Sequence, residues 1–171
     1  MKFLVVVDMQ NDFVTGSLGT KEAQAIVPNI KARIESDEFD EIIYTKDSHY
    51  SNYLTSTLEG EKLPIEHCIK HTTGWNIIPE LQMKTITIEK NTFGSLDLLE
   101  VLKHLIFEEL DEIELCGVCT DICVVSNALL IRAMFPNVKI AVRSDCCAGS
   151  TPELHEAALK VMESCQIDIV R

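Results

Sequence analysis

Phe3-Leu4-Val5-Val6-Val7 is an unbroken apolar run, closed by Asp8 and followed by Met9-Gln10-Asn11-Asp12-Phe13. No polar residue alternates within it, as expected of a strand covered on both faces in a parallel sheet. Similar runs recur at 41–45, 85–89, 113–118, 138–142 and 166–170. Helical patterns lie between them. Residues 22–34 place Ala23, Ile26, Val27, Ile30 and Ile34 on one stripe, and 96–110, 122–134 and 152–165 behave likewise. The last begins with Pro152 behind Thr151, a natural helix start. Six strands alternating with helices predict one α/β domain over 1–171. The expected architecture is a three-layer α/β/α sandwich around a six-stranded, mostly parallel, Rossmann-like sheet with right-handed crossovers. Residues 48–73 fit no regular element, and so long a loop in a compact α/β domain is usually functional or mobile.

The chain of 171 residues is 46% hydrophobic and 25% charged, a globular composition that argues against disorder. Fifteen basic residues oppose twenty-seven acidic ones, for a net charge of −12. That balance repels phosphate backbones and anionic lipid, so no nucleic-acid or membrane partner is expected. No stretch approaches the ~18 continuous apolar residues of a membrane span. The start of the chain is too short in apolar length for a secretory signal. Seven cysteines, with a single CxxC at 116–119 and no second one to pair with it, read as reduced thiols, which points to the cytoplasm.

Ligands of open parallel sheets sit beyond the carboxyl ends of the strands. The residues at those positions are Asp8, Asp47 with His49, Lys90, and the turn Gly117-Val118-Cys119-Thr120-Asp121-Ile122-Cys123. A thiol where a strand gives way to a helix ionises more easily, and a nearby lysine lowers its pKa further. A carboxylate such as Asp8 can take the thiol proton and return it to a leaving amine. Read alone, each residue also has a plain structural role: a buried thiol, a cap, a solvated strand end. Cys119 competes with Cys123 as nucleophile. Asp47 and His49, two apart in extended chain, face one side and can share an ion. His67 arrives at the end of the irregular segment.

Together these segments resemble the isochorismatase-like cysteine hydrolases, and within them the nicotinamidases. LVVVDMQNDF resembles the first-strand motif with its catalytic Asp, here Asp8. EKNTFGS resembles the site of the catalytic Lys, here Lys90. GVCTDICV resembles the nucleophile turn, with Cys123 as nucleophile, and SDCCAGSTPELHEAAL resembles the last strand-to-helix passage. The resemblance spans nearly the whole chain. It implies a cis peptide between Val118 and Cys119, with the amides of Cys119 and Cys123 forming an oxyanion hole. It also implies a divalent metal, Zn first and Fe or Mn next, held by Asp47, His49, a loop ligand and His67. Thr55 stands where many relatives carry His, so Glu59 is the expected replacement and Glu61 the next choice.

Phe13 matches a position that lines the substrate pocket, with Tyr50 and Tyr53 as further candidates. Pro64 stands where many nicotinamidases have Trp, and Trp75 could replace that Trp only through space. The implied activity is metal-dependent hydrolysis of nicotinamide to nicotinate and ammonia through a thioester, by a homo-oligomer whose contact the 122–134 helix could supply. Another small amide or carbamoyl substrate remains open. So does a redox or silent thiol protein, given Cys116, Cys119, Cys123, Cys146 and Cys147. Isochorismatase activity is disfavoured, because it needs neither metal nor cysteine.

Overall fold

The structure, a computed structural model, describes residues 1–106 and 109–171. The opening apolar run becomes β1 (Lys2–Val7), fully buried from Phe3 onward. After it come α1 (Asn11–Val14), α2 (Lys21–Ala25), α3 (Val27–Ile34) and β2 (Glu41–Asp47). Then follow α4 (Tyr53–Ser56), α5 (Leu58–Lys62), β3 (Ile86–Lys90), α6 (Leu96–Leu105) and β4 (Glu112–Val118). The chain finishes with α7 (Val125–Met134), β5 (Lys139–Ala148), α8 (Pro152–Ser164) and β6 (Asp168–Val170). All neighbouring strands run parallel, in the order β3-β2-β1-β4-β5-β6. The chain lays β1 to β3 outward in one direction and β4 to β6 in the other. The strand-order switch therefore lies between β1 and β4, where open parallel sheets hold their ligands.

Helices α6, α7 and α8 pack in sequence on one another, and α2 and α3 contact β5 separately. An ion triad around the buried Glu114 fixes α3 to the sheet. Arg33 and Arg143 both donate to Glu114 on β4, their Nε atoms lying 2.7 and 2.9 Å from Oε1. On β4, Gly117 has φ 116° and its α-carbon faces the Val7 backbone so closely that a Cβ would collide with it. Only glycine tolerates both conditions. β1 and β4 can thus lie side by side up to the point where the chemistry-bearing turns begin.

Several expected boundaries shift. The 22–34 helix is two helices, because Pro28 lacks an N–H and its ring excludes the carbonyl four residues back. The 122–134 helix is preceded by a π-type turn, Thr120–Val124, before α7 begins. β5 continues through Arg143, Ser144 and Asp145, which interrupt the apolar run in sequence; Arg143 pairs with Val170 on β6, and the pairing with β4 shifts register before resuming at Cys147. β6 is shorter than expected, since Gln166 adopts a left-handed φ of 64°. The expected 96–110 helix ends at Leu105, and 107–108 lie outside the described residues. Asp47 and Lys90 are the last residues of their strands rather than the first beyond them. The 48–73 segment is not wholly irregular. It contains α4 and α5, and its ends meet in a parallel bridge between His49 and Ile69.

Candidate active site

Asp8 leaves β1 with a left-handed φ of 51°, a conformation few non-glycine residues adopt and one concentrated at functional sites. Its backbone N–H reaches Thr45 on β2, and Thr45 Oγ1 donates to Asp8 Oδ1 at 2.6 Å. Lys90, from the end of β3, brings Nζ to 2.6 Å from Asp8 Oδ2 and 3.5 Å from Asp47 Oδ1. The same Nζ donates to Cys123 Sγ at 3.4 Å. Asp8 Oδ2 is buried against the ammonium in a close ion pair, on the side of the carboxylate that faces Cys123 through Lys90. The three side chains predicted from sequence therefore meet, all nearly sealed from solvent.

Their electrostatics correct one expectation. Burial pushes the Cys123 thiol well above its ordinary value, and the Asp8 charge pushes the same way, outweighing Lys90. Burial likewise raises Asp8, with the Asp47 charge adding to it and Lys90 opposing. For Lys90 burial works against the charge, but Asp8, Cys123 and Asp47 together raise it. Burial and the Asp8 charge thus favour the neutral thiol, and Lys90 works against them. Cys119 is also pushed up, to about 12, by burial first and Asp121 next. Cys119 lines the same cavity as Cys123, but the lysine hydrogen bond goes to Cys123.

The peptide between Val118 and Cys119 is cis. The turn that follows is held from several sides. Thr120 Oγ1 pairs with His155 Nδ1 at 2.8 Å, and Asp121 accepts from the Ser150 amide at 2.8 Å. Asn127, fully buried, donates to the Cys123 carbonyl at 2.8 Å and accepts from the Ser95 amide at 2.9 Å. One amide side chain thus joins the nucleophile turn to the segment after Lys90.

Beside this trio, Asp47, His49, Glu59 and His67 each offer one ligand atom, all within 4.8 Å of one another. Asp47 Oδ2 lies 2.8 Å from His49 Nε2 and 3.4 Å from His67 Nε2. Glu59 Oε1, carried on α5, lies 3.7 and 3.5 Å from the same two nitrogens. Glu61 takes no part in the cluster. His67 Nδ1 faces the Ile65 carbonyl at 2.8 Å, which directs Nε2 inward as a ligand nitrogen requires. Two carboxylates and two imidazoles converging on one point fit a Zn²⁺, Fe²⁺ or Mn²⁺ ion.

Phe13 lines the cavity, with its ring centroid 5.6 Å from that of His67. Tyr50 does not. It is 63% exposed and lies 5.4 Å below the Lys70 ammonium, outside the cavity. Its place against the cluster is taken by the buried Tyr53, 4.7 Å from His49 and 5.0 Å from His67. The polar His49 backbone bridges to Ile69, and the turn of chain after it aims residue 50 outward and residue 53 inward. Trp75 is turned away, its ring under Lys46 and its Nε1 donating to Ser48. It does not substitute for the missing Trp.

Sequence reasoning overlooked the residues that hold the ligands in place. Gln10, fully buried, accepts from the Asp47 amide at 2.7 Å and donates to the Asp47 carbonyl at 2.8 Å and the Trp75 carbonyl at 2.9 Å. Asp12 accepts from the Cys68 amide at 2.8 Å, next to His67. Both sit in the polar stretch after β1, and that position was their signal.

Known proteins share this arrangement of chain. A nicotinamidase of Schizosaccharomyces pombe is 26% identical over 98% of this chain and 91% of its own length. A nicotinamidase/pyrazinamidase of Mycobacterium tuberculosis is 26% identical over 99% and 98%. The crystal structure of a Pyrococcus horikoshii pyrazinamidase in complex with zinc superposes with a TM-score of 0.84 at 27% identity, covering 99% of this chain and 98% of that one. The family profile of the isochorismatase domain matches residues 2–171, and the chain therefore belongs to the isochorismatase domain family.

Proposed function

We propose that this chain, a nicotinamidase-like amidohydrolase, hydrolyses nicotinamide to nicotinate and ammonia, with Cys123 as nucleophile, Asp8 as acid and base, and Lys90 as their electrostatic partner. The observation that carries the reading is the placement of Lys90 Nζ 2.6 Å from Asp8 and 3.4 Å from Cys123, beside a four-donor cluster. Similarity to two nicotinamidases over nearly the full chain supports the substrate.

Asp8 takes the thiol proton as Cys123 Sγ attacks the carboxamide carbon, so the sulfur becomes anionic only during attack. A C–S bond forms and the carbonyl oxygen becomes an oxyanion. We assign the oxyanion to the Cys119 and Cys123 amides, the kind of donor worth about 3 kcal/mol each in such sites. Asp8 returns its proton to the amide nitrogen, the C–N bond breaks and ammonia leaves. A water then gives a proton to Asp8 and attacks the thioester. The C–S bond breaks, nicotinate forms and Asp8 reprotonates the sulfur. Lys90 holds Asp8 through both transfers. Asp47, His49, Glu59 and His67 would hold the divalent ion, which supplies a Lewis-acid anchor for a pyridine nitrogen. Phe13 packs against the ring.

Ammonia release from nicotinamide by the purified protein tests the reading. Activity is expected from the parent chain and none from Cys123→Ala. Equal activity in the two would end the assignment.

A further inference from the structure

The cavity above Cys123 has a volume of about 720 Å³. Nicotinamide is one ring and one carboxamide, whereas pockets of roughly 300–1,000 Å³ enclose drug-sized molecules. The reacting and ligating groups do not spread through this space. Asp47, Glu59, His67 and Cys123 are tied together through the cluster and Lys90. Most of the apolar surface on the rest of the wall comes from Leu18, Leu58, Leu63, Phe93 and Ile122, with Thr20, Lys62 and Asn91 among its polar residues.

Two of these are held in water. Leu58 is 65% exposed and Phe93 46%, from α5 on one side and from the turn after β3 on the other. An exposed apolar patch marks either an interaction face or a ligand groove. Here the patch continues inward, through Leu63 and Ile122, to the wall that surrounds the nucleophile. A flat docking face would not follow the cavity in this way.

We infer that the site accepts aryl carboxamides larger than nicotinamide, with a second, fused ring packing against Leu58, Leu63 and Phe93. The inference rests on the amidohydrolase reading above. The carboxamide and ring nitrogen keep their place, and only the apolar extension is new. The chemistry is unchanged: the C–N bond breaks, water supplies oxygen to the acid, and ammonia leaves.

Ammonia release is measured on the purified full chain with nicotinamide and with quinoline-3-carboxamide, which adds a fused ring and preserves the relation of ring nitrogen to carboxamide. The expected result is similar kcat and a KM about tenfold lower for the bicyclic amide, since one or two added apolar groups already give such factors. If nicotinamide is hydrolysed and the bicyclic amide is at least 100-fold poorer in kcat/KM, the inference is overturned and the nicotinamidase reading stands. The apolar mouth would then face protein, such as a second copy of the chain. If neither amide releases ammonia, both readings fall together.

Discussion

Lys90 Nζ and Asp8 Oδ2 lie 2.6 Å apart, the two side chains 1% and 0% exposed, although 82 positions separate them in sequence. Strand order alone makes this possible, because only β2 stands between β3 and β1. Removing one member of a buried pair leaves an uncompensated charge, so each member is expected to matter beyond its chemistry.

Asp8→Asn keeps the shape and removes the base. kcat for ammonia release is expected to fall roughly 10²–10⁴-fold, the usual contribution of a positioned acid or base. A thermal melt within a few degrees of the parent would show that the fold is intact. A kcat within threefold of the parent would contradict the assigned role.

Gln10 grips both backbone groups of Asp47. Gln10→Ala is expected to weaken metal binding about 10–100-fold, the usual loss when an outer partner of a ligand is removed. Competition with a chromogenic chelator gives the affinity directly, independent of turnover. Unchanged affinity would remove Gln10 from the site.

Thiol labelling at neutral pH should single out Cys165 first, the exposed cysteine among the described residues. Cys123 is expected to lag, because burial and Asp8 push its thiol up and the neutral form reacts slowly. Its rate should climb as pH rises. Cys123 labelling fastest at pH 7, by peptide mass analysis, would indicate a standing thiolate instead.

Glu114 is buried between Arg33 and Arg143. Burial raises its carboxyl, but the two guanidinium hydrogen bonds prevail and lower it overall. A carboxyl lowered in the folded state contributes stability above its unfolded value of about 4.3, lost as pH falls through the folded value. Urea midpoints should therefore drop between pH 6 and pH 3. Glu114→Gln should lose roughly 3 kcal/mol at pH 7, toward the low end for a broken buried pair because both arginines keep some solvent. Its midpoint should also vary less with pH. An unaltered pH slope would show that Glu114 is not the titrating group.

Much of the site was visible before the fold was known. Asp8, Asp47, Lys90 and Cys123 end strands or follow them, and a parallel sheet brings all such ends to one edge. Tyr50 and Tyr53 were not separable in this way. They are three residues apart in a segment without periodicity, and only the His49–Ile69 bridge and the short α4 decide which one turns inward. Gln10, Asp12 and Asn127 act through backbone groups of distant segments; the polar stretch after β1 marks the first two only by position, and Asn127 has no mark in a linear pattern.

The run from Phe3 to Val7 and the stripes of the helices suffice for the α/β class, because burial of a strand or helix face depends on neighbours along the chain. The charge state of Cys123 does not follow from its neighbours. It is a sum of desolvation, an opposing carboxylate from β1 and an ammonium from β3, and each depends on distance across the sheet. Sequence placed the thiol at a helix start and suggested an anion. The tertiary structure buries that thiol beside Asp8, and the loss of water outweighs the lysine.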